Sequence, residues 1–220
     1  MPFFGYHMPS FTYPGVPPDR IFEHAAELAR SAESAGFELV TVMDHFYQIT
    51  GIGAEEETML EGYTTLGALA RETSRVCLAT LVTGVTYRNP ALVAKMITTL
   101  DVISKGRMIC GIGAAWNESE HVGYGSPFPP IRERMDRLDE ALNIIKLMFT
   151  QERPSFSGTH YRIDRALNNP RPVQAGGPKI LVGGGGEKRT LRLVARYADM
   201  SHWFGPLADI KRKSEILDRY

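Results

Sequence analysis

The sequence predicts an α/β fold made of repeated strand–helix units. Short apolar runs with little polar alternation are typical of strands that are buried on both faces. Longer segments between them place apolar residues at helical spacing, and the two kinds of segment alternate along all 220 residues. No sequence period in the range typical of repeat proteins is present, which excludes a solenoid. Repeated strand–helix units leave two architectures open, a closed (β/α)₈ barrel or an open, doubly wound parallel sheet.

The predicted strands share a high content of β-branched and other apolar residues, and each precedes a helical segment. They are residues 3–8, 37–43, 76–82, 107–111, 179–183 and 200–204. The predicted helices carry start and stop signals, such as the proline pair at 17–18 and Gly36, or Asn89 and Gly106, at their two ends. They are residues 17–36, 59–73, 89–106, 131–149, 187–197 and 207–219.

Composition excludes several classes of protein. The 25 basic residues balance the 25 acidic ones, so a nucleic-acid or membrane-surface partner is not predicted, and we expect a small-molecule partner. No apolar run is long enough to span a bilayer, and the first ten residues lack the pattern of a signal peptide. Cys77 and Cys110 both lie inside apolar runs, as buried thiols of a reducing compartment do. We therefore expect a cytoplasmic protein.

The sequence is expected to form a single domain over residues 1–220 with an irregular insertion at about 151–178. Proline and glycine are scattered through that stretch, and Tyr161 and Ile163 are candidates for a short hairpin within it. If the fold is a barrel, two strand–helix units are missing, because a typical barrel has about 250 residues. The chain also stops inside a helical pattern, so we expect a C-terminally shortened barrel.

Polar, glycine and aromatic residues follow one predicted strand after another. Because the carboxyl ends of parallel strands share one edge and carry the site in such folds, this pattern predicts an enzyme-like pocket. The residues are His7, Pro9, Ser10, Asp44, His45, Thr83, Gly84, Thr86, Gly113, Ala114, Ala115, Trp116, Asn117, Gly183, Gly184, Gly185, Gly186, His202 and Trp203.

The four glycines Gly183–Gly186 admit two interpretations. Consecutive glycines before a helix let backbone N–H groups converge on an anion, which predicts a phosphate cradle. A flexible tight turn between strand and helix is the alternative. The segment 111–113 lacks the third glycine of a dinucleotide-binding fingerprint, so a nicotinamide-binding domain is not expected.

Asp44 and His45 are either an acid/base or ligand pair, or a helix cap beside a structural histidine. No H-x-H or H-E-x-x-H spacing is present, so no metal site is expected from His7, Asp44, His45 and His202. Trp116 and Trp203 are candidates to stack on a planar ring, or ordinary pocket walls. The charged runs 132–137 and 211–213 are interpreted as solvated helix faces.

Four segments resemble the luciferase-like superfamily of flavin and deazaflavin oxidoreductases. They are SKGRMICGIGAAWNESEHVGYG (104–125), GFELVTVMDHF (36–46), YRNPALVAK (87–95) and ILVGGGGEKRTLRLVARYAD (180–199). The resemblance covers essentially the whole chain in the family's order, and the branch that uses the deazaflavin coenzyme F420 is the most similar.

The resemblance implies a (β/α)₈ barrel, here without its last two units, that is usually a homodimer and holds the cofactor ring across its C-terminal mouth. It implies that His45 is catalytic, as proton donor or acceptor. It also implies a bulge in the third strand, often with a non-prolyl cis peptide, behind the ring. The implied cofactor-binding residues are Asp44, Thr80, Leu81, Val82, Gly113, Ala114, Ala115, Trp116, Asn117, Gly183, Gly184, Gly185 and Gly186.

The implied function is hydride transfer between coenzyme F420 and a small organic substrate. An FMN-dependent monooxygenase using reduced flavin and O₂ is one alternative, and a non-catalytic cofactor-binding or degenerate barrel is another. The sugar-phosphate dehydrogenases of the family carry a catalytic glutamate and a tryptophan where this chain has Trp116 or Asn117, and Ile49. Sugar phosphate is therefore not the expected substrate.

Overall fold

The computed structural model describes residues 4–220, so Phe3, at the start of the first predicted strand, lies outside the described residues. All six predicted strands form, and the structure has three further short strands. The strands are β1 (Gly5–Met8), β2 (Leu39–Val42), β3 (Cys77–Thr80), β4 (Thr83–Gly84), β5 (Cys110–Gly113), β6 (Phe156–Ser157), β7 (Arg162–Ile163), β8 (Ile180–Gly183) and β9 (Met200–His202).

All six predicted helices form as well, and one short helix joins them. The helices are α1 (Ile21–Ser34), α2 (Gly62–Glu72), α3 (Pro90–Ser104), α4 (Glu118–Gly123), α5 (Ile131–Thr150), α6 (Thr190–Tyr197) and α7 (Leu207–Leu217). Helix α4 has no counterpart in the sequence prediction. Within residues 4–220, no helix combines the length and apolarity that a membrane crossing requires.

The main strands run parallel and follow one another in chain order. One sheet has the order β1-β2-β3, and a second has the order β4-β5-β8-β9. An isolated bridge between Leu78 and Met108 joins the two sheets. The α/β class with parallel strands is therefore confirmed. In the part of the chain that the structure describes, β1 and β9 are not paired, so closure into a barrel stays a prediction.

Apolar side chains cover both faces of the strands, which explains why the strand sequences show little alternation. A small inner cluster consists of Leu39, Ala79, Ile109 and Leu181, one from each of four neighbouring strand segments. The larger outer cluster packs the helices onto the sheet, with fully buried residues such as Leu138 and Leu142 of α5. This packing holds the carboxyl ends of the strands together at one edge, which we call the rim.

The predicted bounds of the fourth strand are wrong by about three residues. Residues 107–111 were expected, whereas β5 is Cys110–Gly113. Before β5, Met108 forms an isolated bridge to Leu78, and the guanidinium of Arg107 donates to the carbonyls of Ala70 on α2 and of Thr73 and Val76 in the loop before β3. Gly113 is consequently the last strand residue, and the turn at the rim begins one residue later.

The long connection 151–178 is irregular, as predicted, but it is firmly attached. Strands β6 and β7 pair antiparallel, which confirms the short hairpin. The carboxylate of Glu140 on α5 accepts backbone hydrogen bonds from Thr159, His160 and Tyr161 at 2.7–2.9 Å. One half-buried helical carboxylate therefore anchors the hairpin turn to the body of the domain.

Candidate active site

His45 and Glu120 form the central pair at the rim. His45 follows β2, and its Nδ1 lies 2.8 Å from Oε2 of Glu120 on α4. The Glu120 side chain is fully buried, and that of His45 is 14% exposed. An ionised carboxylate can only accept hydrogen bonds, so Nδ1 carries the proton in this pair. Nε2 is then the nitrogen that can take up or release a proton.

Glu120 accepts hydrogen bonds from several directions. The hydroxyl of Tyr87 donates to Oε2 at 2.6 Å, and the backbone N–H of Tyr47 donates to Oε1 at 3.1 Å. Burial alone would raise the pKa of Glu120, but the hydrogen bonds from His45 and Tyr87 outweigh it and lower that pKa. The carboxylate therefore stays charged and orients the imidazole. The sequence analysis missed Glu120, although it lies three residues after the predicted turn at 113–117.

Asp44 turns away from His45, as adjacent residues at a strand end do. Its Oδ2 accepts from the guanidinium of Arg88 at 2.8 Å and from the backbone N–H of Gly84 at 3.3 Å. Arg88 also donates to Glu61 at 2.7 Å. Burial raises the pKa of Asp44, and Arg88 opposes that rise. Oδ1 of Asp44 is buried and has no hydrogen-bond partner among residues 4–220.

An aromatic cluster surrounds the Glu120 pair. Phe46 packs against Tyr87 and Tyr124, with ring centroids 4.7 Å apart in both contacts. The buried ring of His121 stacks on Tyr87 at 4.6 Å and bonds to Thr86 through Nε2 at 2.6 Å. Through the Tyr87 hydroxyl, this aromatic cluster contacts Glu120 directly. None of these aromatic residues was singled out in the sequence analysis.

The end of the third strand forms the floor of the rim. The peptide bond between Leu81 and Val82 is cis, where the resemblance implies such a bond. A Cβ on Gly113 would lie 2.9 Å from the Val82 side chain, and one on Gly183 would lie 2.6 Å from it. Only glycine lets β5 and β8 approach Val82 this closely. The hydroxyl of Thr80 is 2.7 Å from that of Thr83 and donates to the carbonyl of Gly111, so Thr80 supports this floor from within.

The turn after β5 exposes one large side chain. Ala115 has a left-handed φ of 60°, and Arg134 donates to the carbonyls of Ala114 and Ala115. The Asn117 carbonyl lies 2.6 Å from Nδ1 of His121. Trp116 is 59% exposed and meets the His45 ring edge-on at 5.4 Å. A planar group placed beside His45 would therefore contact Trp116.

The glycine turn after β8 offers free backbone donors. Gly184 has a φ of 123° and donates its N–H to the carbonyl of His202 at 2.9 Å. The N–H groups of Gly185 and Gly186 have no acceptor within residues 4–220. The helix that follows begins at Thr190, not at residue 187 as predicted. Residues 187–189 form a turn instead, and the Gly186 carbonyl just before it accepts a hydrogen bond from the N–H of Leu191 at 3.1 Å.

Two further rim histidines lie at β1 and β9. Nδ1 of His7 is 2.8 Å from the hydroxyl of Thr41. Burial, with a smaller contribution from His202, lowers the pKa of His7 to about 4. Burial also lowers the pKa of His202. Both imidazoles are therefore neutral at pH 7. Among residues 4–220, no group of three or more His, Cys, Asp or Glu side chains is arranged to hold a metal ion.

The interpretation of residues 132–137 and 211–213 as solvated helix faces is wrong for Arg134, which is 8% exposed, and for Lys213. Lys211 and Arg212 are exposed, but Lys213 is only 9% exposed. Its ammonium lies 5.8 Å from the ring of Trp203. The helix turns this one lysine inward, towards the glycine turn.

Comparison with known proteins decides the family. A model of the luciferase-like monooxygenase family matches residues 3–220. The chain belongs to the luciferase-like monooxygenase family. Its curated relatives include the F420-dependent glucose-6-phosphate dehydrogenase of Intrasporangium calvum, which is 37% identical over 173 residues, 77% of this chain and 49% of that protein. An uncharacterised protein of Mycobacterium tuberculosis H37Rv is 34% identical over 187 residues, 79% of this chain and 65% of that protein.

Solved structures of luciferase-like proteins share the fold. The monooxygenase RslO1 from Streptomyces bottropensis has a TM-score of 0.83 at 24% identity, over 99% of this chain and 65% of that one. An F420-dependent secondary alcohol dehydrogenase with a bound F420-acetone adduct has a TM-score of 0.78 at 23% identity, over 98% of this chain and 64% of that one. This luciferase-like chain thus spans about half to two thirds of the length of the proteins that it matches.

The structure brings together most, but not all, of the predicted site residues. His45 and Trp116 are in contact, and Val82, Gly113 and Gly183 pack against one another. Asp44 is paired with Arg88 inside the domain. Their roles towards a cofactor stay predictions of the sequence analysis.

Proposed function

We propose that this luciferase-like protein is an oxidoreductase that transfers a hydride between coenzyme F420 and a small organic substrate, with His45 as the catalytic proton donor or acceptor. One observation carries the proposal. The imidazole of His45 is held through Nδ1 by a buried carboxylate, and its Nε2 has no partner among residues 4–220, at the rim that also holds the glycine turn. The names of the curated relatives add support for the F420 branch.

The chemistry divides between the cofactor and the chain. When bound, a deazaflavin supplies a two-electron carrier that accepts or donates hydride. Nε2 of His45 takes the proton that leaves a substrate hydroxyl during oxidation and returns it in the reverse direction. Glu120 fixes the ring and stabilises the imidazolium that forms. Tyr87, part of the aromatic cluster, donates its hydroxyl to the same carboxylate.

The rim fits a phosphate-bearing ring cofactor. Gly185 and Gly186 present unpaired N–H donors to a phosphate. Val82, behind the cis peptide, and the turn from Gly113 to Asn117 would hold the ring beside His45. Asp44, with one unpaired buried oxygen, and Leu81 complete the residues that we assign to the cofactor. The same fit accommodates FMN, so an FMN-dependent monooxygenase is the competing function.

Sugar phosphate is not part of the proposal. The turn after β5 carries Ala114, Ala115, Trp116 and Asn117 and therefore no glutamate. A homodimer is part of it and rests on the family resemblance, and a cytoplasmic location is part of it and rests on the thiols Cys77 and Cys110. Light scattering of the purified protein at micromolar concentration tests the assembly.

Parallel titrations with oxidised F420 and with FMN, followed by quenching of tryptophan fluorescence, test the cofactor. We expect tight F420 binding and weaker FMN binding, with quenching because Trp116 faces the ring position. Trp116→Phe should remove most of the signal change, and Trp203→Phe serves as the matched control. Tighter binding of FMN than of F420 would favour the FMN-dependent monooxygenase. Binding of neither F420 nor FMN would overturn the proposed function.

Replacement of Glu120 by glutamine should slow hydride transfer without weakening cofactor binding. The amide keeps the shape but removes the charge that orients and supports His45, and partners that orient a functional imidazole typically contribute about 10- to 100-fold. Single-turnover rates and F420 affinity are both measured. Glu118→Gln on the same helix is the control and should match the wild type. A Glu120→Gln variant with a normal rate would remove Glu120 from the mechanism.

A further inference from the structure

Lys213 occupies an unusual position for a lysine. It lies four residues before Leu217, which packs against the core, so helical spacing places the two side chains on the same face of α7. It is 9% exposed, whereas Lys211 and Arg212 next to it are exposed. Its side chain is directed at the glycine turn, because a methyl carbon built on Gly185 would collide with Nζ of Lys213.

The Lys213 ammonium has no counter-ion. Within residues 4–220, no carboxylate lies within 4 Å of it, and it donates no hydrogen bond to the chain. Asp209, one helical turn before Lys213, and Glu187, at the turn, are both bound to Arg212 instead. The one aromatic neighbour, Trp203, has its ring centroid 5.8 Å from Nζ.

An unpaired buried cation costs free energy unless a ligand supplies the missing charge. The adjacent N–H groups of Gly185 and Gly186 also have no acceptor within the described residues. A compact ammonium therefore lies beside the glycine turn that carries these two backbone donors. A phosphate group supplies both the oxygens and the negative charge.

The geometry points to Lys213 as a residue that binds the cofactor's phosphate, opposite the backbone donors of the glycine turn. This assignment rests on the proposed function and deepens it. It implies that the phosphate site consists of two separate elements, the turn after β8 and the inner face of α7. Phosphate affinity then depends on α7 being docked.

Phosphate-bearing and phosphate-free ligands separate this role from a structural one. F420 and FMN carry the phosphate, whereas the deazaflavin riboside and riboflavin keep the rings without it. In Lys213→Met, we expect F420 and FMN to bind about 10- to 100-fold more weakly, the loss expected for a hydrogen bond to a charged group. The dissociation constants of the two phosphate-free ligands should not change. The salt dependence of F420 binding should also become less steep.

Matched variants complete the experiment. Lys211→Met, on the exposed face of the same helix, should leave all four affinities unchanged, and Lys213→Arg should recover most of the phosphate affinity. Lys213→Met should unfold at the wild-type temperature or higher, because it removes an unpaired buried charge. Lys213→Gln is the second neutral variant if the methionine protein does not fold.

Each contrary outcome has a distinct meaning. Equal weakening of phosphate-bearing and phosphate-free ligands, or no weakening at all, would overturn the role of Lys213 and leave the proposed function standing. The same holds if the wild type binds riboflavin as tightly as FMN. A wild type that binds neither F420 nor FMN would overturn the proposed function and this assignment together.

Discussion

We expect His45→Ala to lower the single-turnover rate of hydride transfer by about 10²- to 10⁴-fold, the usual contribution of a positioned general acid or base. The reason is geometric: Nε2 of His45 is the proton-accepting atom that the pair with Glu120 leaves free at the rim. Cofactor affinity should change little, because the glycine turn and the floor around Val82 are untouched. The decay of deazaflavin absorbance in a stopped-flow instrument measures the rate, with a hydride donor found by screening small alcohols against the wild type.

His24→Ala is the matched control for this prediction. His24 lies on α1 and packs against Tyr13 at 4.4 Å, so its loss should leave the rate unchanged. Retained F420 binding with a wild-type rate in His45→Ala would contradict the assigned role. A loss of F420 binding in the same variant would instead show that the imidazole holds the ring.

The rim could be predicted from the sequence because two regularities carry over into the fold. Strands buried on both faces appear as uninterrupted apolar runs, and parallel strands place the residues after each run at one edge. Asp44, His45 and Trp116 follow such runs directly. Their location was therefore encoded locally, within a few residues of each strand.

The partners of these residues were not encoded locally. Glu120 is 75 residues from His45 along the chain, and it lies on a six-residue helix that is too short to show periodicity. Arg88, which binds Asp44 across 44 residues, also lies outside any apolar pattern. Lys213 did carry a signal, because it lies four residues before Leu217, which packs against the core. A charged side chain is expected to be exposed, but the position of Lys213 in the helix buries it.

Glu33 is the residue whose removal should destabilise the fold most by losing polar contacts. It lies near the end of α1 and accepts backbone hydrogen bonds from Ser74, Arg75 and Val76 at 2.6–3.3 Å, in the loop that leads into β3. The hydroxyl of Ser74 adds another at 3.0 Å. Three consecutive N–H groups thus converge on one carboxylate. Without it, the N–H of the buried Val76 would lose its partner.

We expect Glu33→Ala to lower the free energy of unfolding at pH 7 by about 2–3 kcal/mol. Burial alone would raise the pKa of Glu33, but the backbone hydrogen bonds from Val76, Arg75 and Ser74 outweigh it and lower that pKa from 4.5 to about 2. A lowered carboxyl pKa stabilises the fold above the unfolded-state value, and this stabilisation is lost as the pH falls from about 5 towards 2.

Urea unfolding followed by circular dichroism at pH 7 and at pH 3 tests both parts of this prediction. The wild type should lose stability between the two pH values, and Glu33→Ala should lose less, because the group that titrates is gone. Glu27→Ala, on the exposed face of the same helix, should retain the wild-type difference. An unchanged pH dependence in Glu33→Ala would mean that other carboxylates govern acid unfolding. If the variant also unfolds normally at pH 7, the loop before β3 is held by the guanidinium of Arg107 and not by the Glu33 carboxylate.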